Sequence, residues 1–322
     1  MKEKKILLNP ANLKLLIRRK TDVLMVYGFL LAMILVGAFS TDVFMKQRNL
    51  LKLFEANIGL LMVTFAQVFV VSLGGVDLSV GSVISVVNVM LITLINDNPI
   101  TWVYAFALAL LAGALIGVFN GLLVVRGHMQ PIIATLATQT IFAGVALFIM
   151  DIPSGTLPSV LSKFLTRGWG YAFPFAYVIL ITAAIWIIFN RTSFGRSILA
   201  IGGNEMSAES SGISVNLTKV LAFVASGIMA AIAGITITAY TTSGNPLVGE
   251  SYTQRSITTA VVGGALLAGG KNSIIGCLAS VLIMGIINNL LNLLRITAYY
   301  QYVLQGVILI AALALSAIRS NK

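Results

Sequence analysis

N-R-T-S-F-G-R-S-I-L-A-I-G-G-N-E-M-S-A-E-S-S-G-I-S-V-N, residues Asn190–Asn216, is a polar, Gly-rich stretch between two apolar runs at 170–189 and 217–240. Each run is close to the roughly 20 apolar residues a helix needs to cross bilayer hydrocarbon. The stretch between them carries charges and an irregular pattern of glycines. Hydrocarbon would give such groups nothing to bond, so the segment has to leave the lipid. It separates two membrane spans, and the same pattern repeats outward in both directions.

Ten apolar runs follow: 23–39, 56–73, 79–96, 100–125, 131–150, 170–189, 217–240, 257–269, 273–294 and 299–317. The eighth is short and Gly-rich and reads as a broken or re-entrant element. The composition agrees, with 58% hydrophobic and 10% charged residues in 322, where soluble domains carry about 25% charged residues. The fold class is therefore an all-α polytopic membrane protein of about ten transmembrane helices. It forms one membrane domain over 23–318, with tails at 1–22 and 319–322.

An even number of spans puts both termini on one side. Placing them in the cytoplasm puts two thirds of the 21 Lys and Arg residues inside, as the positive-inside rule requires. Lys2, Lys4, Lys5, Lys14, Arg18, Arg19 and Lys20 all precede the first run. The net charge of +11 is thus a topology signal, and nucleic acid is not expected as a partner. No small-residue cleavage site follows the first run, so it is expected to remain as a helix. This orientation makes 190–216 cytoplasmic.

The glycines form two kinds of pattern. Gly74-Gly75-Val76-Asp77-Leu78-Ser79-Val80-Gly81 echoes Gly263-Gly264-Ala265-Leu266-Leu267-Ala268-Gly269-Gly270, and Gly117–Leu123 echoes Gly285–Leu291. Gly-interrupted segments in matching halves point to a transport path. Gly113, Gly117 and Gly121 make a small-residue stripe, as do Ser226, Ala230 and Gly234. Both stripes read as close helix packing.

Polar side chains inside the spans fall on shared faces: Ser79, Ser82, Ser85 and Asn88; Thr135 and Gln139; Asn288 and Asn292. Gln67 and Asn120 stand singly. Uncharged amides and hydroxyls, each able to donate and accept, suit a neutral polyhydroxylated solute. Each taken alone is better explained as an interhelical hydrogen bond, and the set is more suggestive than its members. Asp77 is expected to cap a helix start. No carboxylate falls at the midplane, where an ion-coupled transporter usually places one, so the driving energy is expected from another chain.

Gly264–Asn272 superficially suggests a phosphate-binding loop, but its spacing is one residue too long and Asn272 replaces the required hydroxyl. One histidine, His128, and one cysteine, Cys277, make a metal site or catalytic triad unexpected. The chain is not expected to be an enzyme or to bind a cofactor.

Four segments together carry a family resemblance. Gly74–Ser82, G-G-V-D-L-S-V-G-S, resembles the signature loop of permease subunits of ribose-type ABC sugar importers, in the branched-chain amino acid/ribose permease family. Ala200–Ile213 resembles their cytoplasmic coupling segment. Ala260–Lys271 and Asn288–Gln301 resemble their C-terminal half.

The resemblance implies a two-permease core, a homodimer or a pair of paralogues. It also implies a periplasmic or lipid-anchored sugar-binding protein outside and an ATP-binding subunit inside, which holds ATP and magnesium. The setting would be the bacterial cytoplasmic membrane, with membrane lipid around the core. The mechanism would be alternating access. Gly202, Gly203, Asn204, Glu205, Ala208, Ser211, Gly212 and Ile213 match the coupling segment. There Gly202-Gly203 is expected to bend the chain, with Asn204 capping a short helix and Glu205 at its positive end.

Gly74, Gly75, Asp77, Ser79, Gly81, Gly263, Gly264, Gly269 and Gly270 match the signature loops. One departure stands out: the family's acidic E-L-D-A-I-A run is here Thr253-Gln254-Arg255-Ser256-Ile257-Thr258, which puts a cation at the outer mouth. The solute expected is a monosaccharide, ribose or a similar sugar. A nucleoside or furanosyl signal remains an alternative, and an ion-coupled secondary transporter is the alternative from another class.

Overall fold

In a computed structural model the described residues are 10–310 except 298, 302, 305 and 309, with side chains described from residue 24. The first nine residues of the expected N-terminal tail, the part of the tenth span beyond 310 and the tail at 319–322 lie outside them.

The described chain is helical almost throughout. Its elements are α1 (Pro10–Ser40), α2 (Gln47–Val71), α3 (Val80–Leu94), α4 (Pro99–Val125), α5 (Pro131–Ile149), β1 (Ser154–Thr156), α6 (Ser159–Arg167) and α7 (Ala172–Arg191). Then come α8 (Ser193–Gly203), α9 (Glu205–Ser210), α10 (Val215–Thr241), β2 (Ser243–Gly244), α11 (Glu250–Val262) and α12 (Ile274–Leu293). The described residues of 299–310 are helical as well. Local chemistry sets many of these starts. Pro opens α4 and α5, where its missing N–H costs nothing. Asn98, Thr192, Asn204 and Ser273 each cap the helix that follows with a side-chain oxygen.

Among the described residues six helices are long and apolar enough to cross a membrane: α2, α4, α5, α7, α10 and α12. The apolar part of α1, Leu24–Ser40, and all of α3 are shorter. At 15 residues, α3 is about 22 Å long, below the roughly 30 Å of hydrocarbon. α11 starts at Glu250, seven residues before the expected span at 257, and ends at Val262. Its first turns are polar, which is why apolarity alone misplaced it. The all-α expectation meets one exception, an antiparallel ribbon in which Ser154 faces Gly244 and Thr156 faces Ser243.

α2 and α10 form the centre, packed on each other and each packed on α3. α4 packs along α10, α5 along α3, and α11 and α12 along α2, with α1 outside α12. The α4 stripe explains the closest of these crossings. A Cβ on Gly113 would meet the Gly227 carbonyl oxygen, one on Gly117 the Phe223 carbonyl oxygen, and one on Gly121 the Val220 Cα at 2.8 Å. The α10 stripe faces α3 instead, and a Cβ on Gly234 would stand 2.7 Å from Val87. Across the bundle, Asn49 and Asn289 exchange two amide hydrogen bonds of 3.1 and 2.9 Å between α2 and α12.

Candidate functional site

The stretch 192–213 is ordered as two short helices with a break between them. The Asn204 side chain accepts from the Ser207 amide at 2.8 Å and so starts α9. Both Glu205 carboxylate oxygens accept from Lys219 Nζ at 2.7 Å, tying α9 to the first turn of α10. α9 ends with Gly212 at φ +82°, where Ile213 N donates to Ala208 O at 3.2 Å. Ala208 is buried with Ile201, Val215, Ile213 and Leu73, and Ser211 Oγ donates to Ser207 O. This small apolar cluster joins the segment to the chain leaving α2.

Gly202 and Gly203 are the last residues of α8, and neither has positive φ. The expected sharp bend is therefore made by the extended Asn204 at φ −162°. Gly202 is small for another reason: its Cβ would overlap the Ser72 carbonyl oxygen and lie 2.5 Å from Gly270 N. A Cβ on Gly203 would meet nothing within 4 Å.

The two Gly-rich loops meet at this point. Gly270 N donates to Ser72 O at 3.0 Å, and Asn272 Nδ2 donates to Ser72 Oγ at 2.7 Å. A Cβ on Gly269 would lie 2.6 Å from Gly202 O and 2.8 Å from Gly74 N. Gly74, Gly264, Gly269 and Gly270 all have positive φ, conformations that only glycine takes cheaply. Gly263 is tight for packing, with Cys277 Cα 2.7 Å from its virtual Cβ. The two loops and the α8–α9 break thus share one main-chain junction.

Asp77 lies beyond that junction, 1% exposed. The expectation that it caps a helix needs correcting, because α3 starts at Val80. Asp77 Oδ1 accepts from Ser79 N at 2.9 Å and Ser79 Oγ at 2.6 Å, while Oδ2 accepts from Ser226 Oγ at 2.8 Å. Gln67 brackets its main chain: Nε2 donates to Asp77 O at 2.7 Å, and Oε1 accepts from Asp77 N at 3.3 Å. Asn120 Nδ2 donates to Ser79 Oγ at 2.7 Å. Thr135 Oγ1 donates toward Val76 O at 3.1 Å and Pro131 O at 2.8 Å, and accepts from Leu78 N at 3.0 Å. Gln67, Asn120 and Thr135, together with Ser226, are therefore spent on holding the 72–79 loop against α2, α4, α5 and α10.

The other polar positions separate. Asn88 donates to Thr238 Oγ1 and Ser243 O and accepts from Asn245 N, which anchors β2 to α3. Asn292 accepts from Gln301, and Asn288 is half-buried on α12. Ser82, Ser85 and Gln139 come together with Thr140, Leu247 and Glu250 around a cavity of about 280 Å³, with Gly81 at its wall. Gly81 and Gly249 touch main chain to main chain, since a Cβ on Gly81 would stand 2.7 Å from Gly249 O. The starts of the short helices α3 and α11 therefore converge at this cavity. A second cavity of about 360 Å³ lies at the α9 end, lined by Gly74, Gly75, His128, Gln130, Pro131, Glu205 and Lys219. Along α5, Pro131 lines this second cavity, Thr135 clasps the loop and Gln139 lines the first.

Sequence reasoning missed Ser72, Ser226 in its bond to Asp77, and Glu250. Ser226 was legible only as a small packing residue, and Glu250 falls in what reads as a connector. It also missed an ion pair at the opposite end of α2. There Glu55, its side chain 2% exposed, accepts from Arg167 Nε at 2.9 Å and Nη2 at 3.2 Å. The bond from Glu55 raises the Arg167 pKa further, and the same carboxylate raises that of the Tyr171 phenol.

Broken helices meeting at a polar cavity, in a bundle of apolar spans, define a polytopic membrane protein of the permease class. The chain belongs to the family described as branched-chain amino acid transport system / permease component, whose model matches residues 49–313. It is 35% identical to the ribose import permease protein RbsC of Bacillus subtilis, over 91% of this chain and 92% of that one. It is 32% identical to the D-allose transport system permease protein AlsC of Escherichia coli, over 92% of each. It is 37% identical to the L-arabinose transport system permease protein AraH of Escherichia coli, over 78% of this chain and 77% of that one. No solved structure matches.

Proposed function

We propose that this chain is the permease subunit of an ATP-driven importer that carries a monosaccharide, ribose or a similar sugar, across the bacterial cytoplasmic membrane. Relatives named for three different monosaccharides support the solute class. The observation that carries the mechanism is the junction of Gly202 with Ser72 and Gly270. Through it, a push on α8–α9 reaches both Gly-rich loops, and through them α3 and α11.

In this reading both termini are cytoplasmic and the α9 end faces the cytoplasm. Ten segments cross or enter the membrane within a single domain at 23–318, with α3 and α11 as its broken members. The 190–216 segment receives the ATP-binding subunit, which holds ATP and magnesium and does the hydrolysis. A second permease, identical or paralogous, completes the core, and a periplasmic or lipid-anchored sugar-binding protein docks at the α6 end. Ser82, Ser85 and Gln139 line the solute path. The Thr135 clasp on the 72–79 loop separates the two cavities along α5 and closes the path toward the cytoplasm. ATP-driven movement of α9 would pull the loop through Ser72 and release the clasp, a two-state element of the kind alternating access needs.

The test is reconstitution of the chain with its co-purified partners into proteoliposomes. Uptake of radiolabelled D-ribose, L-arabinose or D-allose that needs ATP and survives collapse of the proton gradient is the expected result. Uptake without ATP that is abolished by an ionophore would replace this reading with an ion-coupled transporter.

A further inference from the structure

We propose that the Glu250 carboxylate accepts hydrogen bonds from two neighbouring hydroxyl groups of the solute as it passes, making Glu250 a selectivity residue of the permease itself. The inference rests on the importer reading and deepens it. Glu250 opens α11, and among the described residues its side chain has no hydrogen-bonding partner, nor has that of Gln139. Both face the same cavity of about 280 Å³. Ser85 Oγ accepts from Gly249 N at 3.1 Å, which leaves its hydrogen to donate. Ser82 Oγ donates to Ser79 O at 2.8 Å, which leaves its lone pairs to accept. The cavity thus offers an acceptor-only carboxylate, an amide able to do both, a donor and an acceptor. A set of this kind matches a neutral polyol, whose hydroxyls each donate and accept. The two oxygens of one carboxylate suit hydroxyls on adjacent carbons.

Glu250 itself is exposed, on the first turn of a helix whose neighbouring positions are packed. Its neighbour Gly249 is buried against Gly81, and Thr253 and Ser256 on the next turns are buried as well. Glu250 and Leu247 also line a second cavity of about 530 Å³ with Asn245, Tyr252 and Arg255. Glu250 therefore stands where the two cavities join, and a solute crossing from one to the other passes it.

The experiment uses the whole reconstituted complex, with Glu250→Gln and Glu250→Ala compared with the unaltered chain. Uptake of D-ribose, L-arabinose and D-allose is measured beside uptake of 2-deoxy-D-ribose, and ATP hydrolysis stimulated by the binding protein is followed in parallel. Loss of hydrogen bonds to a charged group predicts a fall in sugar uptake of about tenfold for Glu250→Ala. Glu250→Gln should fall between, with stimulated ATP hydrolysis retained in both. The preference for the full sugar over its deoxy analogue should shrink in Glu250→Ala. The binding protein is the same in every arm, so a change in that ratio belongs to the permease. Uptake and preference at the unaltered level in Glu250→Ala overturn the proposal. So does a joint loss of assembly and ATP hydrolysis in both variants, which would make Glu250 a packing or subunit contact. If the unaltered complex moves none of the sugars with ATP, the importer reading itself fails and this proposal falls with it.

Discussion

Gly202 lies so close to Ser72 that a Cβ on the glycine would overlap the serine's carbonyl oxygen, which is already accepting from Gly270 N at 3.0 Å. One oxygen thus joins α8, the chain leaving α2 and the loop leading into α12. Such a contact transmits displacement because main chain against main chain has no side-chain freedom to absorb it.

The two adjacent glycines should therefore behave differently. Gly202→Ala overpacks the junction and should cost about 1–3 kcal/mol, with ATP-driven uptake lost or severely reduced. Gly203→Ala meets open space and should leave stability unchanged or raise it by up to about 1 kcal/mol. Thermal unfolding in detergent, followed by uptake in proteoliposomes, measures both. Equal effects of the two changes would show that the junction is not as described.

Asp77 holds three donors, so its removal should exceed that of any one of them. Asp77→Ala leaves Ser79 N and the Ser79 and Ser226 hydroxyls without their acceptor, at a cost of at least about 2 kcal/mol. Ser226→Ala removes one bond between α10 and the 72–79 loop and should cost about 1 kcal/mol. Protease cleavage rates near 72–79 should rise in the same order.

Thr135→Val keeps the shape of the side chain and deletes the clasp. Losing about 1 kcal/mol from the closed state shifts a two-state equilibrium by about fivefold. Basal ATP hydrolysis of the complex, without solute-binding protein, should rise accordingly. A basal rate identical to that of the unaltered chain would remove Thr135 from the gate.

At the other end of α2, Arg167→Ala leaves Glu55 buried and unpaired. Arg167 is 56% exposed along its side chain, so the cost should fall below that of a fully buried pair, at about 1–3 kcal/mol. Arg167→Lys keeps the charge without the two-pronged geometry and should recover part of it. The Tm of the purified chain tests the order.

Periodicity and composition alone made the helical membrane class legible, because hydrocarbon tolerates few ways of satisfying a backbone. They also located the α4 and α10 stripes and the Gly-rich loops, since each is a local pattern within a few residues, while the Asn204 cap followed from the family resemblance. The extent of α11 was not legible, because the polar residues Thr253 and Ser256 in its first turns are buried by packing against Gly81 and α2, far away in sequence. Nor was the division of labour among Gln67, Asn88, Asn120, Thr135 and Gln139. All five are neutral polar residues inside apolar runs, and their types are the same whether they bond a neighbour or line a cavity. Which of them bonds Asp77, Val76 or Asn245, and which is left facing a cavity, depends on contacts between residues 10 to 157 apart in the chain. Only the packed tertiary structure brings those partners within hydrogen-bond reach.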